Sequence, residues 1–382
     1  MNILHVFRSP VGGLFRHVCD LAEEQARLGY NVGIICDAST GGASAASKLD
    51  ALQAICTLGV HRIPMSRHIG FSDVKVLRNI PRLCAGENID VVHGHGAKGG
   101  AYGRILAKML HAKAIYTPHG GSMHYSITTP TGMFYLALER CLKKFTDGII
   151  FDSKTSAETY RGKVGGFSCA HRVVHNGLRE YEFDRLPRTE QENQFVFVGE
   201  IRKLKGLDVL LQALALIKDP AVSLSVFGSG PDEAFFKNRV QVLGLINQVT
   251  FHLPVFPVTK AFVNARCVVV PSLAESFPYI VLETAAARVP LLTTNVGGIP
   301  EIFGPHAYQL LPAGDANELA KAMQRVLNDH DSAESLADSL HNHVHTHFRF
   351  STMVEHIVGF YNELLTSPMQ LPINGQVIAQ AK

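Results

Sequence analysis

Short apolar runs alternate with helical patterns along nearly all of this 382-residue chain, in two successive series. In the first series Asn2–Phe7, Asn31–Cys36, Asp90–His93, Ala114–Thr117 and Gly148–Phe151 read as strands. Helical stretches such as His17–Leu28 and Gly99–Leu110 lie between them. The second series repeats the pattern at Gln194–Val198, Ser223–Phe227, Gln248–Phe251, Cys267–Val270 and Leu291–Thr293. Such alternation packs as parallel sheets with helices wound on both faces. The expected fold class is therefore α/β, with two Rossmann-like doubly wound domains facing a central cleft.

The polar, proline-containing stretch Arg179–Asn193 has neither the strand nor the helix period and divides the two series. The expected organisation is a first domain over 1–178, a linker over 179–193 and a second domain over 194–350. A last helical pattern, within 351–366, is expected to cross back onto the first domain, followed by a disordered tail over 367–382.

Composition narrows the class. A hydrophobic share of 46% and a charged share of 18% suit a globular chain with sizeable cores. Seven scattered cysteines without a Cys-x-x-Cys pair argue for reduced thiols and a cytoplasmic setting. Residues 1–180 hold 21 Lys+Arg against 13 Asp+Glu, whereas residues 181–382 hold 15 against 20. A basic first half suits an anionic partner, including lipid phosphates at the inner face of the cell membrane. Nucleic acid is not expected, because no aromatic-basic motif of a known reader is present. The start of the chain does not read as a signal peptide, and no run of about 20 apolar residues spans a membrane.

The chemistry concentrates in Pro271–Ala287, where Glu275 and Glu283 are separated by seven residues. Cys267–Val270 reads as a buried strand, so Glu275 falls on a loop at its carboxyl end, where open α/β sheets bind ligands. Glu283 is expected about two turns on, at the start of the next helix. Two acceptors so placed can hold the hydroxyls of a sugar and of a ribose. Between them, Ser276, Phe277, Pro278, Tyr279, Ile280 and Val281 bring free helix-start N–H groups toward a phosphate. Glutamate also favours first helical turns for structural reasons, and the surrounding loops, Thr294–Glu301 among them, set this pair apart.

Other motifs fall at corresponding strand ends. Gly12-Gly13 follows the first strand and allows close backbone approach to a phosphate or sugar. Arg202 and Lys205 flank the first strand-to-helix loop of the second half, where cations can neutralise a diphosphate. His119, in Thr117-Pro-His-Gly-Gly121, is placed to bond a sugar hydroxyl or orient the acceptor. His95 and Lys98, in His93-Gly-His-Gly-Ala-Lys98, are further acceptor-side candidates.

These motifs together, with Val173-Val-His-Asn-Gly177 and Phe227-Gly-Ser-Gly-Pro231, resemble the retaining glycosyltransferases of the GT-B fold, family-four (group 1) type. The resemblance spans about residues 1–365 and is specific for the family rather than for a substrate. It implies that Glu275 contacts the donor sugar and Glu283 the ribose. It implies also that Lys205 and an arginine bind the diphosphate, and that His119 sits near the reacting carbon. One departure is Glu200, where the family often has arginine, and Arg202 is expected to substitute. The implied partners are a nucleotide-sugar donor, UDP- or GDP-linked, and a glycan or lipid-linked acceptor in bacterial polysaccharide or glycoconjugate synthesis. No cofactor and no metal are expected, and the leaving diphosphate serves as base.

Several signals point elsewhere and are set aside. The alternating His341, His343, His345 and His347 have the spacing for zinc or nickel, yet lack a nearby acidic or cysteine partner in sequence. Phe134, Leu138, Leu142 and Phe145 form an apolar stripe beside Arg140, Lys143 and Lys144, either a core face or a peripheral membrane contact. Phe227-Gly-Ser-Gly-Pro231 lacks the third glycine of a dinucleotide fingerprint, so a dehydrogenase is not expected. The alternatives are a nucleotide-sugar epimerase, a sugar phosphorylase and a non-catalytic sugar-binding protein.

Overall fold

The computed structural model describes residues 1–366 apart from His68, 187–193 and Asn264. The later part of the expected linker and the expected tail thus lie outside the described residues. Both halves are doubly wound α/β units. The first sheet holds β1 (Asn2–Phe7), β2 (Asn31–Asp37), β3 (Val60–Ile63), β4 (Val91–His95), β5 (Lys113–Thr117), β6 (Gly148–Phe151) and β7 (Ala170–Val173), in the order β3-β2-β1-β4-β5-β6-β7. The second holds β8 (Gln194–Val198), β9 (Ser223–Phe227), β10 (Val249–His252), β11 (Cys267–Val270) and β12 (Leu291–Thr293), in the order β10-β9-β8-β11-β12. Strand pairs in both sheets are parallel.

β3 and β7 were not expected from the sequence. Both are edge strands, half-buried at best, and their sequences Val-His-Arg-Ile and Ala-His-Arg-Val contain no continuous apolar run. Most of the strands that read clearly are central ones, covered on both faces, although β10 and β12 at the edges of the second sheet were read as well. In the second half, Phe195, Leu224 and Val226 pack with Leu210, Leu214 and Met323 on one face, whereas Val196 and Val268 pack with Leu282 and Ile299 on the other.

Strand order reverses between β1 and β4 and between β8 and β11, which opens a crevice at the carboxyl ends of those strands in each sheet. The chain passes between halves twice, and the two passages lie side by side. Leu178 N–H donates to Phe348 O at 2.9 Å, and Phe350 N–H donates to Leu178 O at 2.8 Å. The helix Phe350–Thr366 then buries Met353, Ile357, Phe360, Tyr361 and Leu364 against Ile3, Val91, Ile115 and Ile150 of the first sheet.

The four alternating histidines fall in one helix, His330–His347, where His343 and His347 approach with ring centroids 4.4 Å apart. His341 is buried and bonds Ala286 O at 2.8 Å, while His345 bonds Glu180 at 2.9 Å. The apolar stripe near residue 140 divides: Phe134 and Phe145 are exposed and Leu142 is buried. No helix among the described residues is long and apolar enough to cross a membrane. All seven cysteines are unpaired.

Candidate active site

Glu275 and Lys205 meet at the carboxyl ends of β11 and β8. Lys205 Nζ donates to Glu275 Oε1 at 2.6 Å, and Ser272 Oγ donates to the same oxygen at 2.7 Å. Two glycines let these loops close. Gly206 has φ +72° and a Cβ there would lie 1.8 Å from Pro271 O, while Gly297 has φ +56° and a Cβ there would lie 1.9 Å from Glu275 O. Only glycine satisfies both conditions.

Glu283 lies within the helix Tyr279–Ala286, a turn past its start rather than at it as the sequence reading placed it. Its carboxylate accepts from the Arg16 guanidinium, which comes from the helix Gly12–Arg27 of the other half and also bonds Glu182. Burial pushes the Glu283 carboxyl above its ordinary range, against the opposing pull of Arg16. Arg16 packs over the Tyr279 ring at 4.5 Å, and burial is outweighed by the two carboxylates, so the guanidinium stays cationic. Gly13 fits against the same ring, because a Cβ there would meet Tyr279 Cδ2 at 3.3 Å. The Gly12-Gly13 start of the first helix therefore faces the Glu275–Glu283 segment.

The residues between the glutamates also bind across the cleft. Ser276 Oγ donates to Asp152 Oδ1 at 2.6 Å, and the Asn176 amide donates to Phe277 O at 2.8 Å. Phe277 stacks on His175 with centroids 4.9 Å apart. Glu301 accepts from Lys154 N–H at 2.9 Å, Thr155 N–H at 3.0 Å and His175 Nε2 at 3.0 Å. It thus closes the N-terminus of the helix Lys154–Val164, which belongs to the opposite half. These donors outweigh the burial that would otherwise raise the Glu301 carboxyl, and hold it below its ordinary range.

His119 occupies the left-handed region, φ +48°, directly before two further positive-φ glycines, Gly120 and Gly121. A non-glycine residue there outside a helix cap is a strained position. Its Nε2 lies 3.1 Å from His95 Nδ1, and its Nδ1 lies 4.0 Å from Asp152 Oδ2. Burial pushes the His119 imidazole down to about 3, so it is neutral at ordinary pH. His95, His93 and His17 are likewise held well below their ordinary range by burial, and His5 is pushed down to about 4.

Two histidine triads, His5/His93/His95 and His17/His95/His119, each bring one ligand atom apiece within 4.8 Å of one another. In the first triad every ring nitrogen already has a protein partner: Gln25 and His95 for His5, Tyr361 and Thr117 for His93, His5 and His119 for His95. This set holds together as a hydrogen-bond network.

A cleft cavity of about 370 Å³ lies between the halves, lined by Gly120, Ser156 and Lys163 from the first and by Glu275, Ser276 and Gly297 from the second. A more open hollow of about 500 Å³ runs along one exposed helix face at Phe71, Lys75, Arg78 and Arg82. It has no carboxylate or histidine lining and lies off the strand ends, so the cleft is the candidate site.

Not every expected residue converges there. Arg202 is 40% exposed and turns toward Glu200 at 3.5 Å. Lys98 pairs with Asp73 at 2.7 Å and donates to Ser66 O at 2.6 Å, on the flank of the first domain. The sequence reading missed Arg16, His17, Asp152 and the role of Glu301. Arg16 and His17 follow the glycine pair within the first helical turns, which was the one local signal available.

Comparison with known proteins places this geometry. The family described as Glycosyltransferase Family 4 matches residues 11–180, and Glycosyl transferases group 1 matches residues 179–342. The capsular polysaccharide biosynthesis glycosyltransferase CapM of Staphylococcus aureus is 25% identical over 335 residues, 80% of this chain and 85% of that protein. Sucrose-phosphate synthase of Thermosynechococcus elongatus superposes with a TM-score of 0.79 at 21% identity, over 95% of this chain and 99% of that one. HepE of Anabaena, solved in complex with UDP-glucose, superposes with a TM-score of 0.78 at 17% identity, over 95% of this chain and 100% of that one.

Proposed function

The chain belongs to the GT-B glycosyltransferases of group 1 type, and from that premise we propose that it is a retaining, metal-independent transferase using a nucleotide-diphosphate sugar. The acceptor is a hydroxyl of a glycan or lipid-linked glycan in polysaccharide or glycoconjugate synthesis. The observation that carries this reading is that Glu275, held by Lys205, and Ser276, bonded to Asp152, line a cleft cavity whose other side is Gly120, Ser156 and Lys163 of the first half. The UDP-glucose complex of HepE, in the same fold, and the capsular role in the name of CapM support it.

In this reading Glu275 accepts hydrogen bonds from the donor sugar and Glu283 from the ribose. The helix start at Ser276–Val281 and the Gly12-Gly13 turn present backbone N–H groups to the phosphates. Lys205, with Arg202 swung inward, neutralises the departing diphosphate. The acceptor oxygen, placed by His119, bonds to the anomeric carbon on the face from which the diphosphate leaves. The bond from that carbon to the diphosphate oxygen breaks, and the acceptor proton passes to the diphosphate. Neither glutamate acts as nucleophile, unlike the paired carboxylates of retaining hydrolases.

The reading is tested by incubating purified protein and a chelator with a panel of UDP- and GDP-sugars and acceptor glycans. Release of nucleoside diphosphate, with the anomeric configuration retained in the product, is expected. Inversion, or dependence on added metal, contradicts it. Peripheral contact with an anionic membrane belongs to the same proposal and rests on the basic first half with exposed Met133, Phe134 and Phe145. Equal sedimentation with neutral and anionic vesicles contradicts that part.

A further inference from the structure

A single hydrogen-bonded file runs from the interior of the first domain to the cleft. Gln25 Oε1 lies 2.8 Å from His5 Nε2, His5 Nδ1 lies 3.0 Å from His95 Nε2, and His95 Nδ1 lies 3.1 Å from His119 Nε2. Beyond it, His119 Nδ1 faces Asp152 Oδ2 at 4.0 Å. The parallel β1–β4 register pairs His5 with His93 and Phe7 with His95, so His5 and His95 are diagonal neighbours. The side chains of Gln25, His5 and His95 are almost wholly buried.

We infer that Gln25 is a positioning residue: acting through His5 and His95, it fixes which ring nitrogen of His119 carries the proton at the cleft. The inference rests on His119 as the cleft residue of the transferase reading. A neutral imidazole has one N–H and one lone pair, and each ring–ring contact needs one of each. All three rings must then be the same tautomer. If every ring carries its proton on Nε2, the file ends in a lone pair on His119 Nδ1. If every ring carries it on Nδ1, the file ends in an N–H facing Asp152.

Asp152 indicates which of the two states Gln25 holds. Its Oδ1 accepts from both Ser276 Oγ and Ser156 Oγ, and its Oδ2 faces His119 Nδ1 at 4.0 Å. The Nδ1–H state is the one that turns an N–H toward this oxygen, and it requires a donor to His5 Nε2 at the far end. Glutamine is suited to this place because its amide presents an acceptor or, turned over, a donor. Gln25 Nε2 is buried and makes no close hydrogen bond among the described residues, with Tyr361 as the neighbouring polar side chain, and turning the amide over aims it at His5. The low proton affinities of His5, His95 and His119 are in keeping with a file of neutral rings. A ligand hydroxyl reaching His119 then meets an N–H donor beside a carboxylate acceptor.

The test is long-range proton–nitrogen NMR on histidine-labelled protein near neutral pH, with the His119 signals assigned from His119→Asn. In the unaltered chain His119 Nδ1 is protonated and Nε2 carries the lone pair. Gln25→Glu, which offers only an acceptor, moves the His119 proton to Nε2, and Gln25→Met leaves a mixture. Turnover falls roughly tenfold or more in Gln25→Met while the donor KM holds. Should Gln25→Glu not fold, Gln25→Met alone decides. Unchanged His119 nitrogen shifts in a folded Gln25 variant overturn the inference. The spectra need no turnover, so their outcome is independent of whether the transferase reading stands.

Discussion

Lys205 Nζ donates to Glu275 Oε1 at 2.6 Å, joining the loop after the first strand of the second sheet to the loop after its fourth. The pair leaves the Lys205 side chain 27% exposed and that of Glu275, which lines the cleft cavity, 9% exposed. A ligand that carries both a diphosphate and hydroxyls meets complementary groups there already oriented toward each other. Their mutual attraction at a partly exposed site is modest, so exchange for ligand contacts costs little.

Removal of the cation should therefore act on the leaving group. Lys205→Ala is expected to lower kcat by about 10²–10³-fold, the scale for losing one preorganised charge-stabilising donor. It should weaken nucleoside diphosphate binding more than nucleoside monophosphate binding. Calorimetric titration with both nucleotides checks the selectivity, and equal loss for the two would contradict a diphosphate role.

The two glutamates should separate by ligand. Glu283→Ala is expected to weaken binding of bare UDP or GDP by about tenfold, the equivalent of one lost charged hydrogen bond. Glu275→Ala should spare the bare nucleotide and lower turnover with the sugar nucleotide. Because Arg16 holds Glu283, the comparison needs Arg16→Ala as a third variant, which should leave Glu283 poorly paired and lower stability. Equal loss of bare-nucleotide binding in both glutamate variants refutes the division.

Acid should destabilise the first domain early. His5, His17, His93, His95 and His119 all bind protons less readily folded than unfolded, chiefly through burial. Their stabilising contribution is complete above the ordinary histidine value of 6.5 and is lost as pH falls from there toward about 4 for His5 and about 3 for His119. Each ring that protonates only on unfolding adds up to about 1.4 kcal/mol of lost stability per pH unit in that window. Denaturant melts at pH 7.5 and 5.0 should show uptake of more than one proton on unfolding, and a flat profile contradicts the neutral cluster.

Gly297→Ala places a Cβ against the Glu275 carbonyl in a backbone region that favours glycine. It is expected to cost about 1–3 kcal/mol from strain and to displace the Glu275 loop. Thermal melting reads the first effect and donor KM the second. Unchanged values for both would show that the loop is not held by this glycine.

Local sequence spacing made the central strands, the Glu275 loop and Lys205 legible, since residue type and strand end lie within a few positions of each other. The edge strands β3 and β7 were not legible, because their half-exposed residues include charge. Arg16 was missed for another reason: its contact with Glu283 spans 267 residues, and no periodicity reports a contact across two domains. The same holds for Asp152 with Ser276 and for Glu301 with the helix at Lys154. The histidine file was half visible, since His93 and His95 alternate along one strand. His5 joins them only through the β1–β4 register, and Gln25 only through helix packing.

The account's central claim is that this cleft binds a sugar nucleotide, and a thermal-shift screen of the purified protein against UDP-, GDP- and ADP-sugars tests it most directly. A true donor at about 100 times its dissociation constant should stabilise the protein by about 2.7 kcal/mol, with the shift reduced in Glu283→Ala. No shift with any nucleotide, or an equal shift in the Glu283 variant, would contradict the claim.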